Sequence, residues 1–170
     1  MSLNYRAGTI SDAEKIKTLA VNTWHKYKTK LTEENWLQLS SNLHNITLYR
    51  DLLNNSTSFI CESDDKEIVG MAFLVSKGNP TDIFDKDWCY IRFVTVAIEY
   101  SGKGIGQRLT QQCLEKAIDN QEEIVALHTS EMMENARHIY SKLGFSIAKE
   151  LPSNFGTRYW LYTLNLSNKK

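Results

Sequence analysis

The chain has 170 residues, with 20 Lys and Arg balancing 20 Asp and Glu. That length favours one domain over 1–170 with a core large enough to need no disulfide or metal staples. Zero net charge lacks the basic excess of a nonspecific nucleic-acid binder, and no apolar run approaches the roughly 18 residues of a membrane span. Cys61, Cys89 and Cys113 are odd in number and scattered. They fit a reducing compartment better than a disulfide framework, and their spacing is not that of metal ligands. With no apolar stretch near the N-terminus to act as a signal peptide, a cytoplasmic location is expected.

Along the chain, Leu3 to Gly8 reads as an opening strand, and Ser11-Asp12-Ala13-Glu14 as a capping box. Ile16, Leu19, Ala20, Trp24 and Tyr27 recur at helical spacing behind it. Thr32, followed by Glu33 and Glu34, starts a second helix whose buried face is Trp36, Leu39, Leu43 and Ile46. Strands are expected at Ser58 to Glu62 and Ile68 to Ser76, joined by a polar turn, and a long strand from Trp88 to Ile98 follows a polar loop. Lys103 to Ile118 carries Ile105, Leu109, Cys113 and Ala117 at four-residue steps and reads as a helix. A strand to Thr129, a helix from Met132 to Leu143 stopped by Gly144, and strands Phe145 to Lys149 and Arg158 to Leu166 complete the order βααβββαβαββ. This is an α/β arrangement around a mixed sheet of about seven strands.

The segment that points to chemistry is Ser101-Gly102-Lys103-Gly104-Ile105-Gly106-Gln107-Arg108, between a strand and a helix. Alternating glycines let the backbone turn tightly and bring several amides into one small volume, and the helix N-terminus behind them adds its positive dipole end. Such a turn suits a phosphate or diphosphate, with Lys103 and Arg108 adding charge. The string is neither a P-loop, which needs G-x-x-x-x-G-K-[ST], nor a dinucleotide fingerprint, whose spacing is G-x-G-x-x-G. A nucleotide-dependent oxidoreductase is therefore disfavoured.

The same segment resembles the acetyl-CoA signature of the GNAT superfamily of N-acetyltransferases, Arg/Gln-x-x-Gly-x-Gly/Ala. Gly104 and Gly106 fill the glycine positions, while Ser101 stands where the family has Arg or Gln. A second block, Asn135-Ala136-Arg137-His138-Ile139-Tyr140-Ser141-Lys142-Leu143-Gly144-Phe145, is similar to the family's N-A-x-x-x-Y-x-x-x-G-F helix. The order of elements matches the GNAT fold over nearly the whole chain.

The resemblance implies a mostly antiparallel sheet flanked by about four helices, with two neighbouring strands splayed to admit coenzyme A. Backbone groups of Val94 and Val96 would pair with the pantetheine arm, and an amide at a bulge near Val96 would polarise the thioester carbonyl. The diphosphate would rest on amides of Gly102, Lys103, Gly104, Ile105, Gly106 and Gln107, with Ser101 and Arg108 also among the cofactor-binding residues. Asn135 would help hold the cofactor, and Tyr140 would protonate the leaving thiolate. The implied activity is direct transfer of an acetyl group from acetyl-CoA to a primary amine of a small molecule or peptide. The alternative is a non-catalytic acyl-CoA-binding module of the same fold. A homodimer is expected, with no nucleic-acid, membrane or metal partner.

The general base is not legible. Glu33, Glu34 and Glu62 are candidates, the Asp82, Asp85 and Asp87 loop reads as a solvated acidic surface, and His128 reads as structural. Trp24, Tyr27, Trp36, Phe155, Tyr159 and Trp160 are aromatic candidates for the amine pocket, with most expected in the core. By strand alternation Tyr90, Arg92, Val94 and Val96 share one face, that of the cofactor gap. Arg92 there favours an amine that also bears a carboxylate, unless Glu62 neutralises it.

Overall fold

The computed structural model describes residues 2–168. Seven strands form one sheet in the order β1-β2-β3-β4-β5-β7-β6, with β4 and β5 its parallel pair and every other neighbour antiparallel. The strands are β1 (Asn4–Arg6), β2 (Thr57–Glu62), β3 (Ile68–Val75), β4 (Cys89–Val96), β5 (Ile124–Ser130), β6 (Ser146–Asn154) and β7 (Thr157–Asn165). Helices α1 (Ala13–Trp24), α2 (Glu33–Leu43) and α3 (Ile46–Asn55) precede β2, α4 (Ile105–Asp119) follows β4, and α5 (Glu134–Lys142) follows β5.

The helices cover both faces of the sheet. Ile16, Leu39, Tyr49 and Leu52 from α1 to α3 pack on Ile60, Met71 and Phe73. On the other face Ile105, Leu109 and Cys113 of α4, with Tyr140 of α5, pack on Ala72, Leu74, Ile91 and Leu127. All of β3 is buried, as a central strand covered on both sides must be. Gly70 lets α4 settle against it, because a Cβ there would lie 2.8 Å from the Ile105 side chain and 3.0 Å from that of Leu109.

Two local features differ from the sequence reading. The helix-starting box is Thr9 to Asp12, one half-turn before the expected Ser11 to Glu14: the Thr9 amide donates to Asp12 Oδ2 at 2.8 Å. Asp12 is buried and gripped by both terminal nitrogens of Arg6, at 2.9 and 3.0 Å, which fixes the turn there. The second helix also ends at Leu43, and Ile46 opens a separate α3 rather than closing α2. The Asn45 side chain accepts from the Thr47 amide at 3.1 Å, and the Tyr49 hydroxyl donates back to the Leu43 carbonyl at 2.6 Å. A side-chain cap in mid-segment thus makes five helices where four were expected.

The feature that organises the site is an irregularity in β4. Arg92 pairs with Phe73 and Thr95 with Met71, so Phe93 and Val94 together face the single residue Ala72. Phe93 takes φ 54°, the left-handed conformation that lets one strand carry an extra residue. This bulge lies at Phe93 and Val94, earlier than the expected place near Val96, and it resets the alternation of faces. Arg92 lies opposite Phe73 and Tyr90 opposite Val75, on the α1–α3 side. Val94 and Val96 pack with α4 on the other side. The four residues therefore do not share a face, because strand alternation does not survive a bulge.

Candidate active site

β4 and β5 pair only at Cys89 with Val125 and Tyr90 with Ala126. Beyond those residues the strands separate, opening a gap along the rest of β4. The Ala97 amide donates to the Val69 carbonyl at 2.8 Å, so Ala97 is bonded toward β3. Alternation in an antiparallel ladder then turns the Val96 amide and carbonyl the other way, into the gap.

At its open end the gap meets the glycine turn. Among the described residues no backbone carbonyl accepts from the amides of Gly102 to Gln107; the first amide in register is Arg108, which donates to the Gly104 carbonyl at 3.0 Å. Gly102 and Gly104 have φ of 76° and 81°, and a Cβ built on either would meet nothing within 4 Å. The turn is thus an amide-lined hollow open to a ligand, capped onto the fifteen-residue helix α4. A Cβ on Gly106 would lie 3.6 Å from Val96 and 3.5 Å from Ile139 of α5, so the hollow, the gap and α5 are contiguous.

Tyr140 is buried on this same face, edge-on to Phe145 and Tyr162 at 5.9 and 6.3 Å. Burial, with a smaller contribution from Cys113, pushes its hydroxyl pKa well above the usual tyrosine value, so it holds its proton at any physiological pH. Asn135 lies exposed in the first turn of α5, and Ser101 is exposed at the start of the glycine turn. The two basic residues of the turn differ. Arg108 reaches down α4 to Glu115 at 3.2 Å, away from the hollow, whereas Lys103 forms no ion pair among the described residues. Cys89 and Cys113 are both buried, and burial raises the Cys89 thiol to about 12 and the Cys113 thiol further, which makes both poor nucleophiles.

The sequence profile of the Acetyltransferase (GNAT) family matches residues 18–145. The chain belongs to the GNAT acetyltransferase family. Its fold is similar to that of a GNAT-family acetyltransferase from Staphylococcus aureus Mu50, at 20% identity and TM-score 0.71, covering 98% of this chain and 100% of that one. PaiA N-acetyltransferase from Thermoplasma acidophilum, solved in complex with coenzyme A, gives TM-score 0.78 at 15% identity over 97% and 99% of the two chains. YncA from Salmonella typhimurium, solved with its cofactor acetyl-CoA, gives 0.73 at 17% identity over 98% and 95%. Among curated proteins no relative matches. The protein is an acyltransferase of the acetyl-CoA-dependent GNAT type, and the free amides and open glycines of its turn fit that donor's diphosphate. No helix among the described residues is long and apolar enough to cross a membrane.

On the opposite face of this GNAT sheet lies a second group of side chains. Tyr90 and Ala126 are in register, so His128, two residues beyond Ala126, shares the face of Tyr90 and Arg92. Phe84, from the loop before β4, stacks on Tyr90 at 4.1 Å and sits 5.7 Å from the His128 ring, with Tyr159 of β7 5.9 Å away on its other side. Burial, then the charge of Arg92, lowers the His128 pKa to about 4, so its ring is neutral at physiological pH. His128 Nδ1 is buried without a hydrogen-bond partner.

Tyr27 is buried close enough to Tyr159 for the two to raise the Tyr27 pKa, after burial itself, and Trp24 meets Tyr27 edge-on at 5.2 Å. Trp36 and Phe155 pack with the α1–α3 core. Trp160 does not join them: it lies on the α5 face between the guanidinium groups of Arg137 and Arg158, at 4.2 and 4.9 Å. Of the base candidates, Glu33 and Glu34 are exposed on α2, and Glu62 is held by Arg6 at 3.0 Å and Asn4 at 3.1 Å on β2. None of the three reaches the gap. Sequence reading missed Phe84, whose one available signal was an aromatic residue within an otherwise polar loop.

Proposed function

We propose that this protein transfers the acetyl group of acetyl-CoA directly to a primary amine of a small molecule or peptide, with both substrates bound together. The observation that carries this reading is the continuity of the unpaired Val94 to Val96 edge with the amide-lined turn at Gly102 to Gln107. Acetyl-CoA, when bound, supplies the activated thioester. Amides of the turn, with Lys103, suit its diphosphate, and Asn135, exposed in the first turn of α5, would add a cofactor contact. The backbone of Val94 and Val96 offers hydrogen bonds along the gap, including an amide to draw charge onto a carbonyl oxygen. Tyr140, protonated and on the same face, is suited to donate its proton to a departing thiolate.

Holding the amine and the donor on one strand replaces a bimolecular encounter by an oriented one. The test is calorimetric titration with acetyl-CoA and CoA, followed by a CoA-release assay over amines, amino acids, polyamines and peptides. Micromolar-range binding at one shared site, and CoA release with at least one amine, are expected. Absence of CoA binding would overturn the reading, and binding without transfer to any amine would favour a non-catalytic acyl-CoA module.

A further inference from the structure

Arg92 is the least explained charge in the molecule. Its guanidinium is partly buried, and burial lowers its pKa. Among the described residues it forms no ion pair; its guanidinium lies over the Phe93 ring at 5.5 Å and interacts electrostatically with Tyr90 and His128. Glu62, the partner suggested by sequence, is taken by Arg6 on another strand. A cation withdrawn from water without an anion is costly, and the cost is relieved when an anion arrives.

Its surroundings are shaped for a small one. Arg92 lines a cavity of about 220 Å³ with Tyr90, Asn55, Ser56, Asn79 and Asp51. That is below the ~300–1,000 Å³ of pockets for larger ligands. Asp51 is the one carboxylate on its wall, and it makes no ion pair with Arg92. The groups facing Arg92 and His128 are otherwise uncharged: Tyr90 on β4, Phe84 from the loop, and Tyr159 on β7. His128, on the same face but outside the lining of this cavity, has a buried ring nitrogen without a hydrogen-bond partner.

We infer that the amine substrate also carries a carboxylate, and that Arg92 holds that carboxylate on the face of β4 opposite the glycine turn. Free amino acids and the acidic ends of short peptides have this chemistry, whereas polyamines would be repelled. The inference rests on the acetyl-transfer reading above. A planar guanidinium engages a carboxylate through two parallel hydrogen bonds, which orients the substrate as well as binding it. Burial first, and the Arg92 charge second, hold down the proton affinity of His128, so a carboxylate on Arg92 should relieve the second cause and raise it in part.

The experiment compares L-amino acids, their C-terminal amides and spermidine as substrates at saturating acetyl-CoA, for wild type, Arg92→Gln and Arg92→Lys. The free acids should exceed their amides in kcat/KM by about tenfold or more, as expected where a binding group would otherwise be left unpaired. Arg92→Gln should erase that ratio by raising KM for the acids, Arg92→Lys should keep part of it, and CoA affinity should be the same in all three. A second readout works even where turnover is slow: in the CoA-bound protein, NMR titration of His128 should show its pKa rise on adding the acids and stay put on adding the amides. Spermidine or the amides matching the acids, an unchanged ratio in Arg92→Gln, or an unmoved His128 would each overturn the inference. Loss of CoA binding by the wild type would instead overturn the acetyl-transfer reading beneath it.

Discussion

On the α4 face of β4 the polar groups come from one run of backbone, Gly102 to Gln107, seated on a helix N-terminus. On the opposite face they come from side chains on separate segments: Tyr27, Arg92, His128 and Tyr159. The first face uses amides, which any sequence able to make the turn supplies, and so is suited to a donor shared by many enzymes. The second uses particular side chains, and on the proposed reading is where one amine would be told from another. The bulge at Phe93 and Val94 lies between Arg92 and Val96 and shifts the side-chain alternation of the strand by one residue. On the proposed reading, a single strand would thereby present Arg92 to the amine and Val96 to the donor.

The comparison breaks most visibly at Gly104. Gly104→Glu should reduce CoA binding below detection by calorimetry, since a side chain would be forced into the left-handed conformation and a like charge would enter the hollow. The variant should still melt cooperatively within a few degrees of wild type. Next in size is Tyr140→Phe, expected to lower kcat about ten- to a thousand-fold, within or below the usual range for a general acid, while CoA affinity moves by less than about threefold. Equal losses in rate and affinity would make Tyr140 a packing residue of the α4 face rather than part of its chemistry.

How far each face was legible follows from how it is assembled. The glycine turn and the Asn135 to Phe145 block are contiguous, so the turn was legible from its glycine spacing and the block from its resemblance to the family motif, while the element order implied a mixed sheet without saying which pair is parallel. The other face depends on where the bulge falls. Between Tyr90 and Val96 the polar positions change phase, from Tyr90 and Arg92 to Thr95, with Phe93 and Val94 adjacent and both apolar. Pairing with β3 shows this break to be the bulge, a signal that strict alternation passed over. Arg92 was thus assigned a role but the wrong face, and Trp160 was grouped with aromatics from which the sheet separates it. His128 gave no sign of its setting, because Phe84, Arg92 and Tyr159 reach it from distant parts of the chain. Arg108 looked equivalent to Lys103 until Glu115, two turns along, was seen to hold it.

Smaller effects sharpen the comparison. On the side-chain face, His128 has a pKa near 4 when folded against about 6.5 in an unfolded chain. The unfolded state therefore binds more protons between those values, so the folded state loses stability as pH falls from 6.5 toward 4. Arg92→Gln should lose less over that window, since the second of the two causes is removed; urea unfolding at pH 7.5 and 5 measures it. On the amide face, Lys103→Ala should weaken CoA a few-fold, more at low salt than at high, as for an exposed charge contact. Arg108→Ala should change it by less than about twofold. The reverse order in calorimetry would mean that Arg108 leaves Glu115 to serve the hollow.

The division of β4 into a donor face and an amine face is tested most directly by a crystal structure of the protein with CoA. The diphosphate should lie within hydrogen-bonding distance of the amides of Gly102 to Gln107, with the pantetheine arm along Val94 to Val96 and Arg92 untouched. A second, larger cavity of about 630 Å³ lies beside α1, lined by Glu14, Lys15, Lys66 and Glu99. CoA bound there, or with its diphosphate on Arg92, would contradict the account.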